Sequence, residues 1–521
     1  MSVLTALARA AAATTGCALP TKTHRHVHLS ARPLALVAVQ LAGEACAPLA
    51  LLAGDDRDKP RLLVAYEPRN RTQRFEFAAD LAAIVLPYLD GYADDADSDT
   101  TAGDTTAGDT TGSETTAGDA GPAERSEPYP DAPQLLVPNQ PTAAFLRLLG
   151  RSTRFRKTEG PYAVPAAVPL LGRWLTYFAE RAEVTPSAQL VPMTAALADH
   201  WATGQSATED ANLAALVGWI DPPDGMTGHA AARVAEDPVR CPPAGPVTDP
   251  SFDNEVLGPI LQAMHEATVT GDAARLGRTR ADLERALRSQ LEPAWALTWQ
   301  AVDLLRGLPE AAHVEQRWLS DRRSFTSQVA WVRAGGAPQA RRDSAVAAAR
   351  RLARLEREQQ RLAVERAYDD PLVMAEYRMS GEAFAGIVTE ADPARVDTAS
   401  GKKPVLRPWI TVATVDEVLF ERGTVLRSPA RPAQQATVRD VVPGSDGRTR
   451  VILELKGGMG RSLTPAPGSV PAVEDYVTYT SLKDDFQPAA RFPEREDTPW
   501  THGGPPPEYV PNDEDAAEDW S

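Results

Sequence analysis

The chain lacks any hydrophobic run that could cross a membrane, because no stretch approaches about eighteen uncharged apolar residues. Its three cysteines are odd in number and far apart. This spacing argues against a disulfide framework and excludes a zinc ribbon or iron–sulfur cluster built from this chain alone. Arg9 interrupts the apolar N-terminus, whose spacing predicts a short helix and not a secretory signal. We therefore expect a cytoplasmic protein without membrane contact.

Signature motifs of several enzyme classes are also missing. There is no GxxxxGK[ST] loop, and the glycine-rich stretches GSDGRTR and GGMGRSL lie between predicted strands without the terminal Gly-Lys-Ser/Thr. The sequence contains no GxSxG elbow, no HExxH helix and no EF-hand loop. These absences exclude a phosphate-loop ATPase and favour a protein that is not an enzyme and needs no cofactor.

Lysine is rare too, and the charge is unevenly spread. Only seven of the 54 basic residues are lysine, and the many arginines and alanines are typical of a high-GC bacterial coding bias. The net charge of −17 is concentrated in residues 94–131, which carry −10, and in residues 494–521, which carry −8. Residues 272–461, in contrast, carry +6. The acidity therefore belongs to a linker and a tail and not to the folded body.

The order of patterns predicts an α+β multidomain protein with a small N-terminal α/β unit, a helical middle and a C-terminal small antiparallel β-barrel. The apolar stretch PLALVAVQLAGEACAPLALLAG predicts two strands meeting near Gly43, and QLLVP is expected to add a strand to the same sheet. We predict six regions: 1–92, the α/β unit; 93–131, a disordered acidic Thr/Gly/Asp linker; 132–250, a mixed helical region; 251–380, a helical domain with a long basic helix; 381–485, the barrel; and 486–521, an acidic Pro-rich tail.

The long basic helix is predicted over residues 343–368, after helices for which Asp282 is a candidate cap and Gly307 and Gly335 are candidate stops. One face of this helix carries a seam of arginines at i, i+4, i+7 and i+11: Arg350, Arg354, Arg357 and Arg361. Further arginines lie nearby in the sequence at positions 322, 323, 341, 342 and 351. Such a seam can follow a phosphate backbone. Interleaved glutamates can instead pair with it at helical spacing, which would leave a solvated helix face.

Six short β-branched segments between residues 383 and 482 predict the barrel, because no helix lies between them. Four candidate binding residues combine positive charge with an aromatic ring: Arg407, Trp409, Lys456 and Arg461. Basic residues with an aromatic are typical of barrels that bind single-stranded nucleic acid, although small barrels also bind proteins.

A histidine cluster near the N-terminus is the candidate metal site. Alternation on a strand would place His24, His26 and His28 on one face, close enough to share a divalent metal ion. Acids around the first sheet would suit a nuclease-like metal enzyme. The competing interpretations are a polar strand edge for the histidines and a surface turn for the acids in GDDRDKP.

The region 340–482 resembles the stalk-and-barrel insertion of superfamily-one helicases. The resemblance lies in a pair of long helices that end in YDDPLVMAEYRMSGEAFAGIVTEADPARV and lead into a small barrel. In that family the insertion leans on the motor and touches nucleic acid. This chain has no motor motifs, so the resemblance implies an accessory subunit that docks on a separate helicase or nuclease.

These observations lead to one preferred function and two alternatives. We expect a non-catalytic nucleic-acid-associated accessory or scaffold protein, with DNA or RNA and another protein as partners. The first alternative is a metal-dependent, nuclease-like enzyme that uses the N-terminal histidines and acids. The second is a purely protein-binding scaffold whose acidic segments mimic nucleic acid or tune solubility.

Overall fold

The computed structural model describes residues 3–45, 47–99, 127–398 and 404–483. Within these ranges the predicted α+β class is confirmed, with a small N-terminal sheet, a helical middle and a C-terminal closed antiparallel barrel. Most of the predicted acidic linker (100–126) and all of the predicted tail lie outside the described residues. No helix of the described ranges is long and apolar enough to cross a membrane.

The helices, in chain order, are α1 (Val3–Thr15), α2 (Arg71–Asp99), α3 (Gln140–Thr153), α4 (Ala167–Arg181), α5 (Met193–His200), α6 (Leu213–Ile220), α7 (Gly228–Ala235), α8 (Pro250–Phe252), α9 (Gly258–Thr270), α10 (Ala273–Arg306), α11 (Val314–Arg333), α12 (Ala345–Asp369) and α13 (Pro371–Met379). A 3₁₀ turn covers Glu209–Ala211 and a π-helical turn covers Asp253–Leu257. The strands are β1 (Leu19–Pro20), β2 (Leu34–Gln40), β3 (Pro48–Gly54), β4 (Arg61–Val64), β5 (Leu135–Val137), β6 (Leu190–Pro192), β7 (Trp201–Ala202), β8 (Ala383–Asp392), β9 (Val396–Asp397), β10 (Val405–Leu406), β11 (Trp409–Thr414), β12 (Val425–Ser428), β13 (Arg431–Pro443), β14 (Thr449–Lys456) and β15 (Tyr476–Thr480).

The N-terminal sheet has the order β4-β3-β2-β5-β6. β2, β3 and β4 are antiparallel neighbours, whereas β5 and β6 run parallel to β2. Almost every side chain of β2 and β3 is buried, which explains why LALVAVQ and PLALLAG read as continuous apolar runs. The prediction that QLLVP joins this sheet is confirmed, since Leu34 pairs with Leu135.

The helical middle shares its core with the sheet. α10 packs on β2 and β3, and its buried side chains belong to the same apolar cluster as those strands. α10 begins after Asp272, whose side chain accepts a hydrogen bond from the Arg275 amide, so the expectation of a cap at Asp282 is wrong. Gly307 does follow the last residue of α10, as predicted.

The long basic helix α12 is held firmly at its C-terminal end. Asp370, fully buried, accepts hydrogen bonds from the amides of Thr23, His24 and Leu372 and from the Thr23 hydroxyl. The buried residues of α12 are confined to positions 362–367, so the N-terminal part of this helix lies at the surface. The helix is therefore anchored in the core through its C-terminal end.

The barrel closes in the order β11-β14-β13-β12-β15-β8. Its interior is filled by apolar side chains that include Phe384 and Tyr479. The carboxylate of Asp416 accepts two hydrogen bonds from Arg378 of α13, at 2.7 and 2.9 Å, and a third from the Ala385 amide. These bonds fix the barrel to the helix that follows α12.

Candidate nucleic-acid interface

A groove of about 950 Å³ lies between α4, α11 and α12 and is the candidate functional site. We call it the arginine groove because, among the described residues, five arginines line it: Arg181, Arg317, Arg323, Arg354 and Arg361. The two carboxylates in its lining are Asp321 and Glu358. The lining therefore has an excess of positive charge.

Helix α11 builds one wall through its periodicity. Ser320, Ser324, Ser327 and Trp331 recur every three or four residues and line the groove. The opposite face of α11 carries Phe325 and other apolar side chains that are buried in the core. The second wall is α12, where Arg354, Glu358 and Arg361 follow the same spacing.

Three of the five arginines already have partners. Arg181 pairs with Asp321 at 2.6 Å. Arg317 pairs with Glu365 at 2.7 Å, and both side chains are almost inaccessible to solvent. Arg361 donates to the same Glu365 at 2.9 Å. These pairs hold the walls of the groove together.

The other two arginines are available. Arg323 and Arg354 make no hydrogen bond or ion pair to another residue of the described ranges, and both are exposed. Burial of part of the guanidinium lowers the pKa of Arg354, and the positive charges of Arg181 and Arg351 lower it further. A cation in such a positive field gains when an anion approaches.

The indole ring of Trp331 lines the same groove. Trp331 is 53% exposed, which is unusual for a tryptophan. Its indole N–H donates to the Ala337 carbonyl at 2.9 Å, and Gly336 lies so close that a Cβ there would come within 2.2 Å of ring atom Cε2. The orientation of the ring is thus fixed while more than half of the side chain stays open to a ligand.

A smaller cavity of about 220 Å³ adjoins α12 and is also rich in arginine. Arg147, Arg151 and Arg351 contribute to its lining, together with Glu180 and Asp343. Glu183 bridges two of these arginines, Arg147 and Arg351. Arg147 and Arg151 belong to α3, so this second basic cavity lies between α3 and the start of α12.

The predicted arginine seam divides between two environments. Arg354 and Arg361 line the arginine groove. Arg350 and Arg357 are exposed on α12 but are not part of the lining, and Arg357 donates to the Ala353 carbonyl of its own helix at 3.2 Å. The lining of the arginine groove therefore contains two of the four arginines of the predicted seam.

The predicted barrel residues form a separate group. The Trp409 ring carries the guanidinium of Arg395 at 4.1 Å from its centroid, and its N–H donates to Glu454 at 3.0 Å. Arg407 donates to the Leu406 carbonyl at 2.8 Å. Lys456 and Arg461 are exposed at and beyond the end of β14. Trp409 thus already has an intramolecular cation on its ring.

The histidine cluster does not lie on a strand; residue 25 alone forms an isolated bridge, with Glu310. His26 Nε2 lies 3.5 Å from the Asp370 carboxylate, whereas His28 stacks on Trp318 with ring centroids 4.1 Å apart. Burial lowers the pKa of both imidazoles. Among the described residues no group of three or more His, Cys, Asp or Glu side chains is placed to hold a metal ion.

Sequence reasoning missed the α11 wall. Arg323 was counted only as a neighbour of the α12 seam, and Trp331 was not identified. The signal for them was the repeat of serines with Arg323 and Trp331 along one face of α11, opposite its apolar face.

Comparison of the chain with models of protein families, with curated proteins and with solved structures gave no match in any of the three.

Proposed function

We propose that this protein is a cytoplasmic bacterial accessory protein that binds nucleic acid without catalysing a reaction, and that a single strand lies in the arginine groove. The observation that carries the proposal is a pair of arginines on facing walls beside the exposed Trp331: Arg323 and Arg354, which have no hydrogen bond or ion pair to another described residue. Single-strand-binding sites combine these two elements: cations that follow the phosphates and aromatic rings on which bases stack.

The individual contacts have distinct roles. The guanidinium groups of Arg323 and Arg354 donate charge-assisted hydrogen bonds to phosphate oxygens. The indole of Trp331 offers a stacking surface that unpaired bases can reach and paired bases cannot, which favours a single strand over a duplex. The hydroxyls of Ser320 and Ser327 add donors that do not depend on base identity.

The accessory role rests on what the sequence lacks. Neither a motor nor a nucleophile motif is present in the chain. The long helices that lead into the barrel resemble the stalk-and-barrel insertion of superfamily-one helicases, so we propose a separate helicase or nuclease as the protein partner. The barrel offers it exposed apolar side chains at Val415 and Leu419.

The test is an anisotropy titration of the full chain with oligothymidylate and oligouridylate of about 20 nucleotides, and with a duplex, between about 50 and 200 mM salt. If Arg323 and Arg354 each neutralise one phosphate, the log–log salt slope for a single strand is about −1.4, at roughly −0.7 per phosphate. Arg354→Ala should reduce its magnitude by about 0.7.

Arg350→Ala is the matched control, because Arg350 lies on the same helix, is exposed and is outside the groove lining. It should leave the slope nearly unchanged. Absence of binding at low salt would refute the proposal. Equal effects of Arg350→Ala and Arg354→Ala would show that the arginine groove is not the binding site.

A further inference from the structure

We infer that residues 484–521 bind in the arginine groove when no nucleic acid is present and compete with it there. The competition rests on the proposed function, whereas the contact between this segment and the groove does not. Three observations carry the inference: the point at which the segment leaves the barrel, its length, and its charge and aromatic content.

The last described residues before the segment contact the helix that carries two of the groove arginines. The hydroxyl of Tyr368, near the C-terminal end of α12, donates to the carbonyl of Leu482 at 2.9 Å. Arg361 and Arg354 precede Tyr368 on the same helix by two and four turns, which at 1.5 Å per residue places them about 10 and 21 Å along the axis. Leu482 therefore lies near the C-terminal end of the helix that carries Arg354 and Arg361.

The segment is also long enough. Thirty-eight residues follow Lys483 in this sequence. A chain of that length spans about 35 Å even at random-coil dimensions, so it reaches both Arg361 and Arg354. Such a tether keeps the segment near the groove at an effective concentration of about 1 mM.

The chemistry of the segment matches what the groove would otherwise bind. Residues 484–521 contain eleven acidic and two basic side chains, a net charge of −9. Trp500, Tyr509 and Trp520 are interspersed among the acids. Carboxylates can take the place of phosphates at Arg323 and Arg354, and an aromatic ring can take the place of a base on Trp331.

The expected effect follows from the tether. If the untethered segment binds with a dissociation constant of about 0.1 mM, an effective concentration of about 1 mM weakens nucleic-acid binding about 10-fold. The first experiment replaces five tail acids by their amides in the full chain: Asp513→Asn, Glu514→Gln, Asp515→Asn, Glu518→Gln and Asp519→Asn. Affinity for oligothymidylate at low salt should rise about 10-fold, and this gain should vanish in the Arg354→Ala background.

The matched control changes the same number of charges elsewhere in the full chain. It replaces five acids of the other acidic segment by amides: Asp104→Asn, Asp109→Asn, Glu114→Gln, Asp119→Asn and Glu124→Gln. A gain in affinity equal to that of the tail variant would overturn the inference, because it would reflect net charge alone or occupancy by the other segment.

A second measurement does not involve nucleic acid. A fluorescein-labelled peptide of residues 505–521 is titrated into the full chain that carries the five tail amides. Binding that Arg354→Ala weakens and Arg350→Ala does not would support the inference, even if no variant binds nucleic acid and the proposed function fails. Absence of peptide binding, with oligothymidylate bound equally by the tail variant and the unchanged chain, would overturn the inference while the proposed function stands.

Discussion

The buried pair between Arg317 and Glu365 makes a quantitative prediction about the wall of the arginine groove. Both side chains are nearly inaccessible to solvent, at 3% and 2% exposure, and Nη1 of Arg317 lies 2.7 Å from Oε2 of Glu365. Burial lowers the pKa of Arg317, which shows that its charge is costly there without a counter-ion. Glu365→Gln keeps the volume and removes the counter-charge. It should lower the free energy of unfolding by about 3–5 kcal/mol.

The assay is urea unfolding of the full chain followed by circular dichroism, with two comparison variants. Glu358→Gln removes another carboxylate near Arg361, but its ion pair is 3.8 Å long and 29% exposed on the acidic side, so it should cost about 1 kcal/mol or less. The double variant Arg317→Met/Glu365→Leu removes both buried charges and should recover most of the lost stability. A loss below about 1 kcal/mol for Glu365→Gln, or an equal loss in the double variant, would show that the buried charge of Arg317 does not depend on Glu365.

Three further predictions concern stability. Burial lowers the pKa of His200 to about 4, and its neutral Nε2 accepts the His26 amide, so the native state favours the uncharged ring. The stabilisation by neutral His200 should be complete above about pH 6.5, and the free energy of unfolding should fall by about 3 kcal/mol as the pH is lowered to about 4. His200→Gln should flatten the measured pH dependence of the free energy of unfolding in that window. An unchanged slope would contradict this prediction. Gly386→Ala would place a Cβ 2.2 Å from the Ala413 carbonyl oxygen between neighbouring barrel strands and should cost about 3 kcal/mol or more in thermal unfolding. Gly277→Ala, in the exposed surface of α10 with no atom within 4 Å of the new Cβ, should stabilise by about 1 kcal/mol.

The sheet and the barrel could be predicted because their signals are local. Continuous apolar runs marked β2 and β3, and alternating β-branched residues marked the six barrel strands. The start of α10 was placed wrongly because Asp282 and Asp272 are both acceptable caps in sequence. The structure shows that α10 is continuous from Ala273 to Arg306, through Asp282 and Pro293, with Leu283 and Leu287 buried in the main core.

The site was harder to predict because it depends on which helix faces meet. The helical spacing identified the arginines of α12 as a group. It could not show that α11 lies against the face that carries Arg354 and Arg361, so that Arg350 and Arg357 are outside the groove lining. Likewise, the ring of Trp409 looked available in sequence, yet Arg395 reaches it from another part of the barrel. His26 and Asp370 are some 340 residues apart in the chain, so no local pattern could reveal their proximity.

Photocrosslinking of the full chain to an oligonucleotide that carries 5-iodouracil locates the bound strand, because this base reacts with aromatic side chains stacked on it. Mass spectrometry of the digested complex then identifies the crosslinked residue. Binding of a single strand in the arginine groove predicts a crosslink at Trp331, lost in Trp331→Ala and weakened in Arg354→Ala. A crosslink at Trp409 of the barrel, with none on α11, would contradict it.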